Sequence, residues 1–204
     1  MAKDIIRFKR KMYDTMLKWK KERNGDTALL IQGARRVGKS TIAEEFARNE
    51  YKSYILIDFS KVPIEVSNLF NDISDLNYLF IRLQFIFQVE LYERESVIIF
   101  DEVQLQPLAR QAIKHLVKDH RYDYIETGSL ISVRSESKNI IIPSEETKVS
   151  MYPMDYEEFR AWASENRDRV EEPVIIEYVN EYNCPDLPNK AVKSVFDCSL
   201  YELN

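Results

Sequence analysis

The stretch "LLIQGARRVGKST", residues 29–41, contains two of the four glycines in a chain of 204 residues. Gly33 and Gly38 stand five positions apart, directly before Lys39 and Ser40. The pattern is G-x-x-x-x-G-K-[ST], preceded by the apolar run "TALLIQG" (27–33) and followed by a helical pattern from Lys39 through Ala47. A chain that wraps a polyphosphate must turn tightly and aim successive main-chain N–H groups inward. Glycine permits those dihedrals and lets backbone approach oxygen with no Cβ in the way. A helix opening at Lys39 adds the partial positive charge of its first turn. The pattern therefore assigns Gly33, Ala34, Arg35, Arg36, Val37, Gly38, Lys39, Ser40 and Thr41 to phosphate binding. Lys39 is expected on the β- and γ-phosphates and Ser40 on Mg²⁺.

Working outward, short apolar runs alternate with helical patterns. "YILIDFS" (54–60), "SVIIFDE" (96–102), "YDYIETGS" (122–129) and "KVSMYPM" (148–154) read as four further strands. Between the second and third, Leu76, Leu79, Phe80, Leu83, Phe87 and Leu91 form an apolar helix face that Ser74 or Asp75 opens as N-cap. "PLARQAIKHLVKDH" (107–120) reads as a helix with proline in its tolerated first turn. Strands of nearly continuous apolar character separated by helices imply a parallel sheet covered on both faces. Right-handed crossovers then bring every strand's C-terminal end to one edge, where ligands bind in open α/β sheets.

"VIIFDE" ends in Asp101-Glu102, the pattern of a Walker B strand. Asp101 is the expected second Mg²⁺ residue, and Glu102 the acid that polarises the attacking water. Two neighbouring acids suit the additional-strand, catalytic-glutamate class of P-loop proteins. Thr127 or Ser129, at the end of "IETGS", is the candidate sensor of the γ-phosphate; with Lys39 and Glu102 they make up the candidate catalytic set. Asp58 and Ser60, ending the second strand, are candidates for holding Glu102 back until a partner arrives. Arg134 is a candidate arginine finger. A GTPase would carry glycine where Gln104 stands and an N-K-x-D guanine reader that "LVKDH" (116–120) does not supply, so ATP is the expected nucleotide. His115 and His120 are spaced wrongly to share a metal on one helix face.

A hydrophobic fraction of 45% with 31% charged residues is globular composition. Net charge is −5, yet residues 1–25 are basic, with Lys3, Arg7, Lys9, Arg10, Lys11, Lys18, Lys20, Lys21 and Arg23 against Asp4, Asp14 and Glu22. Phe8, Met12, Met16 and Trp19 recur at helical spacing there. That segment is expected to be an amphipathic helix whose basic face is solvated or meets nucleic acid. Cys184 and Cys198 lack metal or redox spacing and read as free thiols. The opening residues have no apolar signal region, and "NYLFIRLQFIFQVELY" (77–92) is too short and polar to span a bilayer, so a cytoplasmic protein with no membrane insertion is expected.

Four motifs, "LLIQGARRVGKST", "VIIFDEVQ", "IETGSLISV" and "MYPMDYEEF", in this order and spacing, resemble those of the prokaryotic AAA-like ATPases of the archaeal-ATPase type. The resemblance covers residues 1–165. It implies a three-layer α/β P-loop NTPase with a five-stranded parallel sheet, ATP on Gly33–Thr41, and Mg²⁺ near Ser40 and Asp101. The expected organisation is a basic N-terminal helix packed on the core (1–24), the P-loop ATPase domain (25–165), and an extension (166–204) as the truncated start of the relatives' C-terminal domain. The relatives' Gly-Arg pair before the fifth strand is missing from "PSEETKVSMYP" (143–153).

The functional expectation is Mg²⁺-dependent ATP hydrolysis that switches or drives a partner, protein or nucleic acid, with a homo-oligomer as a candidate assembly. The alternative is a nucleotide-dependent regulatory or nucleic-acid-binding module with little intrinsic hydrolysis. A small-molecule phosphotransferase is a weaker reading, for want of an acceptor pocket and an arginine-bearing lid.

Overall fold

The computed structural model of the protein describes residues 10–129 and 144–165. Helix α1 (Lys11–Arg23) leads into β1 (Ala28–Gly33), α2 (Lys39–Glu50) and β2 (Ser53–Asp58). A short α3 (Ile64–Asn68), α4 (Leu76–Phe87), β3 (Ser96–Asp101), α5 (Pro107–Asp119), β4 (Asp123–Ser129), β5 (Glu146–Met151) and α6 (Tyr156–Glu165) follow. The five strands form one sheet in the order β2-β3-β4-β1-β5, and every neighbouring pair is parallel. This is the expected architecture.

The sheet's two faces carry separate hydrophobic clusters. Alternation along each strand divides them: Leu30, Ile98, Phe100 and Tyr124 face one side with residues of α4 and α5. Leu29, Ile31, Val97, Ile99 and Ile125 face the other, with Met16 and Trp19 of α1 and Ile42, Ala43 and Phe46 of α2. A period of two along strands and helices over both faces give the three layers.

Local signals set the ends of the elements. Asp75 caps α4 by accepting from the Tyr78 N–H at 3.0 Å. Gln88, in a left-handed conformation (φ 53°), stops α4 short of Leu91, which is buried beyond the helix. Gly33 is tied down from outside the loop. A Cβ there would lie 2.2 Å from the Met151 carbonyl oxygen, so β5 can pair with β1 at this point only if residue 33 is glycine.

The chain divides into two compact units, Met12–Tyr152 and Met1–Lys11 with Pro153–Asn204. In the smaller one, Asp155 and Glu158 close a capping box at the start of α6: the Glu158 N–H donates to Asp155 Oδ1 at 2.9 Å and the Asp155 N–H to Glu158 Oε2 at 3.0 Å. Lys11 Nζ donates to Asp155 Oδ2 at 2.7 Å, and Arg10 Nε lies 3.2 Å from Glu158 Oε1. Arg134, Cys184 and Cys198 lie outside the described residues. Among the described residues no helix is long and apolar enough to cross a membrane.

On the α5 face, Arg110 donates through Nε and Nη2 to the two carboxylate oxygens of Glu146, each at 3.1 Å, with both side chains buried. Lys148 Nζ stands 3.5 Å from Glu146. Glu126 lies fully buried on β4, and neither carboxyl oxygen has a partner among the described residues. Burial and then the charge of Glu146 push its pKa well above the ordinary carboxyl value, while Arg110 and Lys148 draw it partly back. A raised native pKa contributes stability below the unfolded value of about 4.3 and loses it as pH climbs toward the native value. Glu126→Gln, uncharged throughout, should therefore gain on the wild type as pH rises from about 5 to about 8 in urea unfolding. A gap independent of pH would contradict the assignment of Glu126 as a neutral buried acid.

Candidate functional site

The C-terminal ends of β1, β3 and β4 and the start of α2 meet at one edge of the sheet. Gly38 sits in the left-handed region (φ 91°, ψ 22°), which turns the chain directly into α2. No side chain caps α2, and no acid stands in its first turn, so its leading N–H groups are left for an anion. Arg36 is also left-handed (φ 64°), and Ala34, Arg35 and Arg36 are exposed along the loop.

Lys39 is 5% exposed, and its Nζ donates to the loop's own carbonyls, Ala34 at 2.8 Å and Gly33 at 3.3 Å. Desolvation lowers its pKa below the usual lysine value; Glu102 and then Asp101 raise it in part, and Arg35 opposes them. A partly desolvated ammonium facing two acids is a strong local charge for a phosphate to answer.

Asp101 closes the arrangement. Its Oδ1 accepts from Ser40 Oγ at 2.6 Å and from Thr127 Oγ1 at 2.5 Å. Thr127 lies on β4, the strand between β1 and β3, and its hydroxyl oxygen also accepts the Glu102 N–H at 3.2 Å. Ser129 is buried at the end of β4 and pairs in register with Gly33 at the root of the loop. Thr127, one of the two sensor candidates, is in contact with both acids. Glu102 itself has φ 53° and ψ 46°, a conformation that costs a non-glycine residue about 1–3 kcal/mol and is found where surrounding contacts enforce it.

One expected contact is not made. The Asp58 carboxylate accepts from the N–H and hydroxyl of Ser60 and pairs with Lys61 Nζ at 3.2 Å, closing its own turn. The residue that does hold Glu102 is Gln104, whose Nε2 donates to Glu102 Oε2. Sequence reading used Gln104 only as a missing glycine. Its partner stands two residues away, at a spacing that carries no periodic signal.

The donors beside the loop are hard oxygens, Ser40 Oγ and Asp101 Oδ1, a set suited to Mg²⁺ with waters and phosphate oxygens completing its shell. Among the described residues no group of three or more His, Cys, Asp or Glu side chains is disposed to hold a metal by itself.

A glycine-bounded loop feeding an uncapped helix, with an Asp-Glu strand end one strand removed, defines the P-loop ATPase class. The model of the AAA domain family matches residues 25–160, and the chain belongs to that family. Among solved structures, the Orc1 protein of Aeropyrum pernix, determined in complex with DNA, is similar in fold, with a TM-score of 0.52 at 12% identity. The match covers 89% of this chain and 57% of that one, so the chain spans little more than half its length. No curated protein matches the sequence.

Thr127 serves Asp101 and Glu102 from a fully buried position. Thr127→Val keeps the shape and removes the hydroxyl, so urea unfolding should show a loss of about 1–3 kcal/mol, the cost of leaving buried polar groups unpaired. A loss below about 0.5 kcal/mol would mean that the three-way contact is not a structural tie.

Proposed function

We propose that the chain binds Mg·ATP on Gly33–Thr41 and hydrolyses it, using the cycle to switch or drive a protein or nucleic-acid partner. The convergence of Ser40 and Asp101, 61 residues apart in sequence and 2.6 Å apart in space, carries this reading. Lys39 and the leading N–H groups of α2 bind the β- and γ-phosphates, which replace the Gly33 and Ala34 carbonyls as partners of the ammonium. Ser40 and Asp101 would hold Mg²⁺, which would supply charge neutralisation on the phosphate oxygens. Glu102 takes a proton from the water whose oxygen bonds to the γ-phosphorus as the bond to the β–γ bridging oxygen breaks, so that ADP and inorganic phosphate leave, and Thr127 fixes that acid's backbone. A nucleic-acid partner is supported by the exposed Lys18, Lys21 and Arg23 on α1 and by the fold shared with a protein determined on DNA.

Two variants test the assignment by separating binding from turnover. Titration with a fluorescent ATP analogue and Mg²⁺ should show Lys39→Ala weakened at least about tenfold, equivalent to about 1.4 kcal/mol. Glu102→Gln should bind like the wild type and lose turnover by about 10²–10⁴-fold in single-turnover hydrolysis. Equal turnover in wild type and Glu102→Gln would remove Glu102 from the chemistry. Tight binding with negligible wild-type hydrolysis would favour the regulatory-module reading.

A further inference from the structure

Gln104 is 5% exposed and lies in the single 3₁₀ turn, Val103–Leu105, that follows the Asp-Glu pair. The left-handed backbone at Glu102 reverses the chain there, and the Leu105 N–H closes the turn on the Glu102 carbonyl at 2.9 Å. That reversal carries the side chain of residue 104 back over residue 102. Its Nε2 donates to Glu102 Oε2, while its Oε1 is buried with no partner among the described residues.

An amide satisfied at one end only is a poor choice for stability alone. An apolar side chain of similar length would fill the same space without an orphaned acceptor. What the amide provides is a fixed donor to one carboxylate, and that carboxylate is the first of the charges acting on Lys39. The Glu102 main chain is held separately by Thr127. Glu102 is thus gripped at both ends: the N–H from the neighbouring strand, the carboxylate from its own turn. Glutamate on a free side chain samples many rotamers, and an acid that must meet a water in line with a phosphorus gains rate by being held beforehand.

We infer that Gln104 is a positioning residue, which holds the Glu102 carboxylate in one place at the strand end for its work on the attacking water. This inference rests on the reading of Glu102 as the water-polarising acid. It assigns Gln104 no contact with nucleotide, so its loss acts on turnover and leaves binding alone.

The test is Gln104→Met, which keeps length and apolar bulk and removes the donor, made in the wild-type chain and in Glu102→Gln. Fluorescent ATP-analogue binding with Mg²⁺ reports folding and affinity, and single-turnover hydrolysis of radiolabelled ATP reports the chemistry. The expected result is affinity within about twofold of wild type and turnover lower by about 10–100-fold. In the Glu102→Gln background Gln104→Met should add no further loss, because its effect passes through the carboxylate already removed. Unchanged or faster turnover in Gln104→Met overturns the inference, and so does an equal loss in both backgrounds, which marks a general structural defect. Should Gln104→Met not bind nucleotide, Gln104→Asn, which keeps the amide at shorter reach, is judged by the same split and the same double variant. If Glu102→Gln alone turns over like the wild type, the reading of Glu102 fails on its own account. If Glu102→Gln is inactive and Gln104→Met is not impaired, only the role of Gln104 falls.

Discussion

One hydrogen-bonded junction organises the functional edge of this protein: Asp101 Oδ1 receives both Ser40 from the first turn of α2 and Thr127 from β4. It exists because β4 is inserted between β1 and β3, so the phosphate-loop strand and the acidic strand are separated by one strand's width. α2, packed over that face, spans the gap with its first turn. Had β3 paired directly with β1, Thr127 would have no place in the contact. Topology, and not proximity in sequence, joins residues 40, 101 and 127.

Around that junction charges of both signs are brought together. Lys39 is desolvated, faces two acids, and rests on carbonyls of its own loop. α2 begins with no side-chain cap. Two other helix starts do carry side-chain caps: Asp75 caps α4, and Asp155 with Glu158 closes a box on α6. The helix behind the phosphate loop forgoes such a cap, as α3 and α5 also do, at a cost typical of about 1 kcal/mol. The left-handed Glu102 is a second local cost at the same place.

The sheet was legible because β1, β3 and β4 are buried on both faces and β2 keeps a run of apolar residues; β1 through β4 fall within one or two residues of "TALLIQG", "YILIDFS", "SVIIFDE" and "YDYIETGS". That Ser40 and Asp101 meet at one sheet edge was legible, because the two motifs place them at the C-terminal ends of parallel strands. Three matters were not. Gly33 reads as a phosphate-loop glycine, yet the contact that requires it is with the carbonyl of Met151, a long-range constraint invisible in the motif. Asp58 stands where a strand-end residue can reach Glu102, but Ser60 and Lys61 are nearer and satisfy it. Gln104 and Glu126 have partners or surroundings set by one backbone reversal and by the packing of α5, neither of which leaves a periodic trace.

The central claim is that the glycine-bounded loop and the Asp-Glu strand end together hold a magnesium–triphosphate. A crystal structure of the full chain with Mg²⁺ and a non-hydrolysable ATP analogue tests this most directly. The account predicts the β- and γ-phosphates inside the loop of residues 33–41, the Lys39 ammonium moved from the Gly33 and Ala34 carbonyls onto them, and the metal on Ser40 Oγ beside Asp101. A nucleotide seated elsewhere, with Lys39 still on those carbonyls, would contradict it.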